Sequence, residues 1–273
     1  MTELERPFPA FLAPPAIETL LGVQFAPLDS LSVPHLGVYW SQIRSAYPRQ
    51  EVRPPLLSIT EESGREQATE PGIRLEPLRE PLIRCWFIDD SSAHLIQVQK
   101  DRFIRNWRRV KAEDPYFHYD TLKPKFRGDW QRFCDFLEQE KLGAPDVNQC
   151  EVTYVNHIEV GQELRSYADA HKVMGLVSQP ASAVFLPEPE MLNLSASYLM
   201  PDKKGRLNVT LQPAMNRRTG SEVLQLTLTA RGRPASSGIE DIIAWFDLGH
   251  EWVVRGFADL TTTDMHAKWR RTS

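Results

Sequence analysis

Between Asp120 and Gly143 the chain has the pattern of a single kind of element. Leu122, Phe126, Trp130, Phe133 and Leu137 recur every three or four residues, which places them on one face of a helix. Lys125, Asp129, Arg132, Asp135, Gln139 and Glu140 fall on the opposite face. Asp120 or Thr121 supplies a cap, and Pro124 is read in the first turn, where the N–H that proline lacks has no helical partner. Gly143 and Pro145 end the run. A helix with a broad aromatic face must bury it, and residues 151–160 supply a surface. Cys150, Val152, Tyr154, Asn156 and Ile158 face one way, and Glu151, Thr153, Val155, His157 and Glu159 the other. A helix lying on a sheet is therefore expected at the centre of this chain.

The remaining segments arrange themselves around that unit. Residues 1–15 form a proline-rich lead-in. Residues 16–25 read as a strand, followed by a helix that Ser30 or Ser32 caps and that buries Leu36, Trp40, Ile43 and Tyr47. Residues 51–60 read as an edge strand because of Pro54 and Pro55. Residues 61–81 carry six glutamates and no period, as expected of a surface loop. Three strands then occupy residues 82–88, 93–99 and 102–107. After the alternating strand, a short helix is expected over 163–174. Strands are expected near 182–186, 192–199, 206–212 and 223–231, and a long helix carries Ile239, Ile242, Ile243, Phe246, His250, Val253 and Phe257. A short helix over 260–269 completes the chain. The order strand, helix, four strands, helix is thus expected twice, in residues 16–145 and 146–273, packed as one α+β body.

Composition narrows the class. The 273 residues are 41% hydrophobic and 25% charged, ordinary for a globular core, and the net charge of −4 argues against a general polyanion binder. Cys85, Cys134 and Cys150 have no paired spacing and lie in apolar runs, so reduced thiols are expected. No charged and apolar leader opens the sequence, and no apolar run reaches the ~20 residues that cross a bilayer, so a cytoplasmic protein away from membranes is expected.

The duplicated element order resembles the two halves of the TATA-box-binding-protein-like fold, which implies one curved antiparallel sheet with helices on its convex side. The chain also resembles a family of sporadically distributed, uncharacterised bacterial proteins. The residues that carry this likeness are Gly22, Val23, Gln24 and Phe25, then Asp101, Arg102, Phe103, Asn106 and Trp107, then Tyr154, Val155 and Asn156, and finally His250 and Phe257. That resemblance implies a bacterial or phage-borne source and an association with defence-linked genes, but no agreed activity.

The chemistry-bearing candidates are few. His250, near Asp247 and Glu251, suggests acid–base work, and His157, Glu159, Glu151 and His171 suggest metal ligands, yet neither set has a catalytic or zinc spacing. Each is more simply read as a packing or solvated residue. No phosphate-binding, dinucleotide or nucleophile-elbow motif occurs, so no catalytic residue, metal or cofactor is assigned. One basic and aromatic run stands out: Lys100, Arg102, Arg105, Trp107, Arg108, Arg109 and Lys111, the combination that contacts phosphates and stacks on bases. Lys123, Lys125, Arg127, Lys268, Arg270 and Arg271 extend it if the fold brings them alongside. Three functions follow: an adaptor that binds another protein, a nucleic-acid binder using this run and the concave sheet, and an enzyme or ligand-binding protein with a pocket. The adaptor is the first expectation, with self-association as a further partner choice.

Overall fold

A computed structural model of the chain describes residues 7–58, 61, 83–178 and 185–273. Among the described residues nine strands form one antiparallel sheet: β1 (Ala16–Phe25), β2 (Arg49–Arg53), β3 (Arg84–Ile88), β4 (His94–Gln99), β5 (Arg102–Arg108), β6 (Val147–Glu159), β7 (Leu194–Leu199), β8 (Arg206–Met215) and β9 (Glu222–Gly232). Across the sheet the order is β2-β3-β4-β5-β1-β6-β9-β8-β7. The two strands that open the expected halves therefore pair with each other at the centre, with Leu21 opposite Val152. On each side the last strand of the half, β5 or β9, lies next to this central pair, and β2 and β7 form the edges.

Four α-helices among the described residues accompany the sheet: α1 (Val33–Ile43), α2 (Tyr119–Gln139), α3 (Ile239–Leu260) and α4 (Thr263–Lys268). The aromatic stripe of α2 is buried throughout, with Leu122, Phe126, Trp130, Phe133 and Leu137 all 3% exposed or less. Phe103 of β5 meets Phe126, Trp130 and Phe133 at ring-centroid distances of 5.2 to 5.9 Å. From α1 it is Tyr39, not Trp40, that fills the core, against Phe87, Phe133 and Phe136. Trp40 is only half-buried and donates its indole N–H to the Tyr47 carbonyl at 2.9 Å. α3 packs on β6, β9 and β8 and touches α2. Gly249 permits this approach, since a Cβ there would lie 2.9 Å from the Trp245 ring and 3.1 Å from Val152.

Several boundaries differ from the sequence reading. α2 begins at Tyr119, so Pro124 lies inside the helix and leaves the Asp120 carbonyl without its helical donor. The strand expected over 51–60 stops at Arg53, before the two prolines. The short helix over 163–174 is a 3₁₀ turn, Tyr167–Lys172. Among the described residues three strands follow β6. The strand expected near 182–186 lies mostly outside them, and Phe185 and Leu186 are not in a strand. The glutamate-rich loop also lies outside, apart from Glu61, whose carboxylate meets Arg206 and Asn208. The lead-in is tied down where it is described. Leu12 and Ala13 donate to the carbonyls of Arg270 and Trp269 at 3.1 Å, and Thr272 donates to that of Ala10 at 2.8 Å.

Candidate functional site

The tied-down lead-in forms one wall of a cavity of about 180 Å³. Phe8, Pro9, Phe11 and Pro14 line it from that side, Tyr116, His118, Tyr119 and Asp120 from the start of α2, and His250, Val253 and Phe257 from α3. Tyr154 and Asn156 reach it from β6, because the alternation of that strand turns both toward α3. Phe11 is itself held in a cage formed by Phe257, His266 and Trp269, at 5.4, 5.5 and 6.4 Å.

His250 is the centre of the polar part. Its ring stacks on Tyr119 at 4.0 Å and 7° between planes, with Phe8 nearly parallel at 5.8 Å. The Tyr154 hydroxyl lies 3.0 Å from Nδ1 of His250. Burial, opposed by Asp120 and Asp247, lowers the His250 pKa to about 4, so the imidazole is neutral at ordinary pH. Burial also holds the Tyr154 phenol protonated far above its usual range. The hydroxyl and Nδ1 thus meet as two neutral groups, and the Tyr154 hydroxyl has Tyr116 as a further hydrogen-bond partner. Asn156 is turned to the backbone, donating to the Leu226 carbonyl at 3.1 Å.

The carboxylates expected to work with His250 are engaged elsewhere. Asp247 accepts from the Tyr119 hydroxyl at 2.7 Å and from Lys123 at 2.8 Å, and Glu251 pairs with Arg255 at 2.8 Å. Among the described residues no carboxylate–histidine pair forms at this site. The candidate metal ligands are also apart. His157 bonds Gln225, Glu151 pairs with Arg231, and His171 bonds the Ala168 carbonyl. Among the described residues no three of His, Cys, Asp and Glu lie where they could hold one ion. All three cysteines are free, and burial raises each thiol pKa, that of Cys134 to about 12.

The basic run is divided by its own strand. Arg105 and Trp107 lie on the α2 side of β5, 2% and 3% exposed. Arg105 is bonded to Tyr47 and to Asp129, and Trp107 packs on Tyr116 and Phe117. Arg102 and Arg108 point to the other face, where Arg102 bonds Gln24 and the Leu57 carbonyl, and Arg108 bonds the Ser92 carbonyl. Lys100 faces Asp29 at 3.5 Å, Arg109 reaches the Pro14 carbonyl at 3.5 Å, and Lys111 is exposed. The seven residues thus form no single surface. Three of the additional basic residues are engaged elsewhere: Lys123 pairs with Asp247, Arg127 with Glu240, and Lys268 bonds the Glu163 carbonyl.

Tyr119, Tyr116 and the two phenylalanines of the lead-in were missed as site residues. The signal available was the spacing of Phe8 and Phe11 within a proline-rich segment, which suits an extended strip laid on an apolar surface. The chain matches none of the protein-family models, curated proteins or solved structures with which it was compared, so the site is read from its own geometry.

Proposed function

We propose that the protein binds a small, uncharged, ring-bearing molecule in this cavity and does not transform it. The observation that carries the reading is His250, neutral, stacked on Tyr119 and bonded to Tyr154 at the edge of an apolar space of about 180 Å³. A dry cavity of roughly 150 Å³ accepts a benzene ring. Aromatic rings in the lining, Phe8, Phe11, Tyr116 and Tyr119 among them, favour contact with another ring, and a site whose burial already removes the proton from histidine disfavours a charged guest. A non-catalytic role is supported by the engagement of Asp247 and Glu251 away from His250.

The adaptor role expected from the sequence, in a bacterial cytoplasm, belongs to the same proposal. A bound ring would hold residues 8–14 against α3 and so alter the surface offered to another protein. The proposal also takes the two halves as versions of one unit, which places the cavity beside their junction. Support comes from the β1–β6 pairing at the sheet centre and from the long helix that closes each half.

Binding of neutral one- and two-ring compounds, such as phenol and indole, tests the reading by nuclear magnetic resonance of the Val253 and Val254 methyls and by thermal shift. At 100 times its Kd a ligand stabilises the protein by about 2.7 kcal/mol. Val254→Trp, which narrows the cavity from α3, is expected to abolish binding. Methyl signals that no compound moves, or shifts that survive in the variant, would reject the proposal.

A further inference from the structure

The sheet face turned away from Tyr154 holds a second arrangement, independent of the cavity. There Arg53 of β2 stands directly opposite Arg84 of β3, an opposition of like charges that destabilises a sheet. Trp86, the next β3 residue on this face, has the guanidinium carbons of Arg53, Arg84 and Arg108 at 4.7, 5.6 and 5.4 Å from its ring centroid. Arg102 joins them from β5.

Carboxylates act on three members of this cluster, Glu51 on Arg53, Glu18 on Arg108, and Glu151 and Asp101 on Arg102, whereas the charged neighbours that act on Arg84 are Arg102 and Arg53. Arg53 pairs with Glu51, but among the described residues Arg84, Arg102 and Arg108 make no ion pair and bond only neutral oxygens, of Gln97, of Gln24 and Leu57, and of Ser92. Nε of Arg84, Nε of Arg102 and the indole N–H of Trp86 are buried without an acceptor. Burial, then Arg102 and Arg53, pulls the Arg84 pKa down, the mark of positive charges crowding one another.

We propose that this patch binds single-stranded nucleic acid, with the guanidinium groups of Arg53, Arg84 and Arg108 on its phosphates and a base on Trp86. Planar guanidinium forks match phosphate oxygens in pairs. The ring selects nucleic acid over an acidic peptide. Arg53, with a side chain 43% exposed, can exchange Glu51 and the Trp86 ring for a phosphate and leave a ring face for a base. The net charge of −4 repels polyanions at long range and sets the affinity in the micromolar range.

The test is fluorescence anisotropy of a labelled 15-nucleotide oligo(dT) over a range of salt, with a labelled poly-glutamate peptide as the rival. Each phosphate contact on a single strand contributes a log–log salt slope of about −0.7. Changing Arg53, Arg84 and Arg108 together to Ala is expected to flatten the slope by about 2 units. Trp86→Ala should weaken binding about tenfold at an unchanged slope. Arg53→Glu, a change at an exposed position, provides the same test if the triple variant does not fold, and it should weaken binding more than Arg132→Ala. Oligo(dT) binding that ignores all of these changes, no binding at low salt, or poly-glutamate bound as tightly as oligo(dT) would overturn the proposal.

Discussion

Two polar clusters lie under the helices of this molecule, and they solve the same problem differently. In the first, Arg105 of β5 meets Asp129 of α2 at 2.7 Å, with Tyr47 at 2.8 Å and Arg132 at 2.8 Å from the same carboxylate. In the second, Tyr154 of β6 meets His250 of α3 across a neutral hydrogen bond. The charged cluster occupies its space and closes it, since a buried carboxylate needs all these donors to offset its lost hydration. The neutral cluster has no such requirement and stands beside open volume. A buried charge held by several donors therefore closes its site here, and the uncharged pair at the edge of a cavity is the site proposed to receive a guest.

The largest effect should come from breaking the charged cluster. Arg105→Ala leaves Asp129 buried without its main partner and is expected to lower unfolding free energy by about 3 to 5 kcal/mol in urea denaturation. Replacing both partners, as Arg105→Met with Asp129→Leu, should recover much of that loss. If the double variant is no better than the single, the pair is not acting as a unit. Trp130→Ala, an uncharged change in the same helix, is expected to cost about 3 to 5 kcal/mol through its cavity.

Acid probes the neutral cluster. His250 has a folded pKa of about 4 against an ordinary 6.5, so the unfolded chain takes up its proton at higher pH than the folded one. Its contribution is complete above about pH 6.5 and is lost as pH falls toward 4, on the order of 3 kcal/mol. Stability measured against pH should be flatter in that window for His250→Gln than for the wild type. Parallel curves would show that the imidazole is not held neutral by its surroundings. His94, lowered to about 4 by burial, supplies a background common to both proteins.

Smaller changes sharpen the contrast. Tyr154→Phe removes one neutral hydroxyl and should cost about 1 kcal/mol, far less than Arg105→Ala. Phe8→Ala, at a ring 47% exposed, should cost under about 1 kcal/mol while weakening the binding of ring compounds in the cavity. A loss as large as that of Arg105→Ala would mean that the lead-in is part of the core.

What the sequence disclosed follows the range of its signals. The α2 stripe and the β6 alternation are local periods, and both were legible to within a few residues. Tyr39 was missed because its neighbour Trp40 also fits a helical face, and only the position of Phe87 decides between them. The basic run misled because its charges were counted along the chain, whereas a strand sends successive side chains to opposite faces. Arg105 and Trp107 went to the core, and Arg102 and Arg108 met Arg53 and Arg84, which arrive from other strands. The cavity was illegible for a related reason: Phe8, Tyr119, Tyr154 and His250 come from four segments that no spacing rule connects.

The pairing of β1 with β6 also bears on how the chain reaches this state. Leu21 must find Val152, and everything in β2 to β5 and α2 lies between them in sequence. Contacts that close so long a loop form late and slow the search. Until β6 docks, β1 has one satisfied edge, along β5, and one bare edge whose inward side chains, Leu21, Val23 and Phe25, are strongly apolar. A partly folded chain is therefore most prone to join the wrong partner at the seam that becomes the best protected line of the finished sheet.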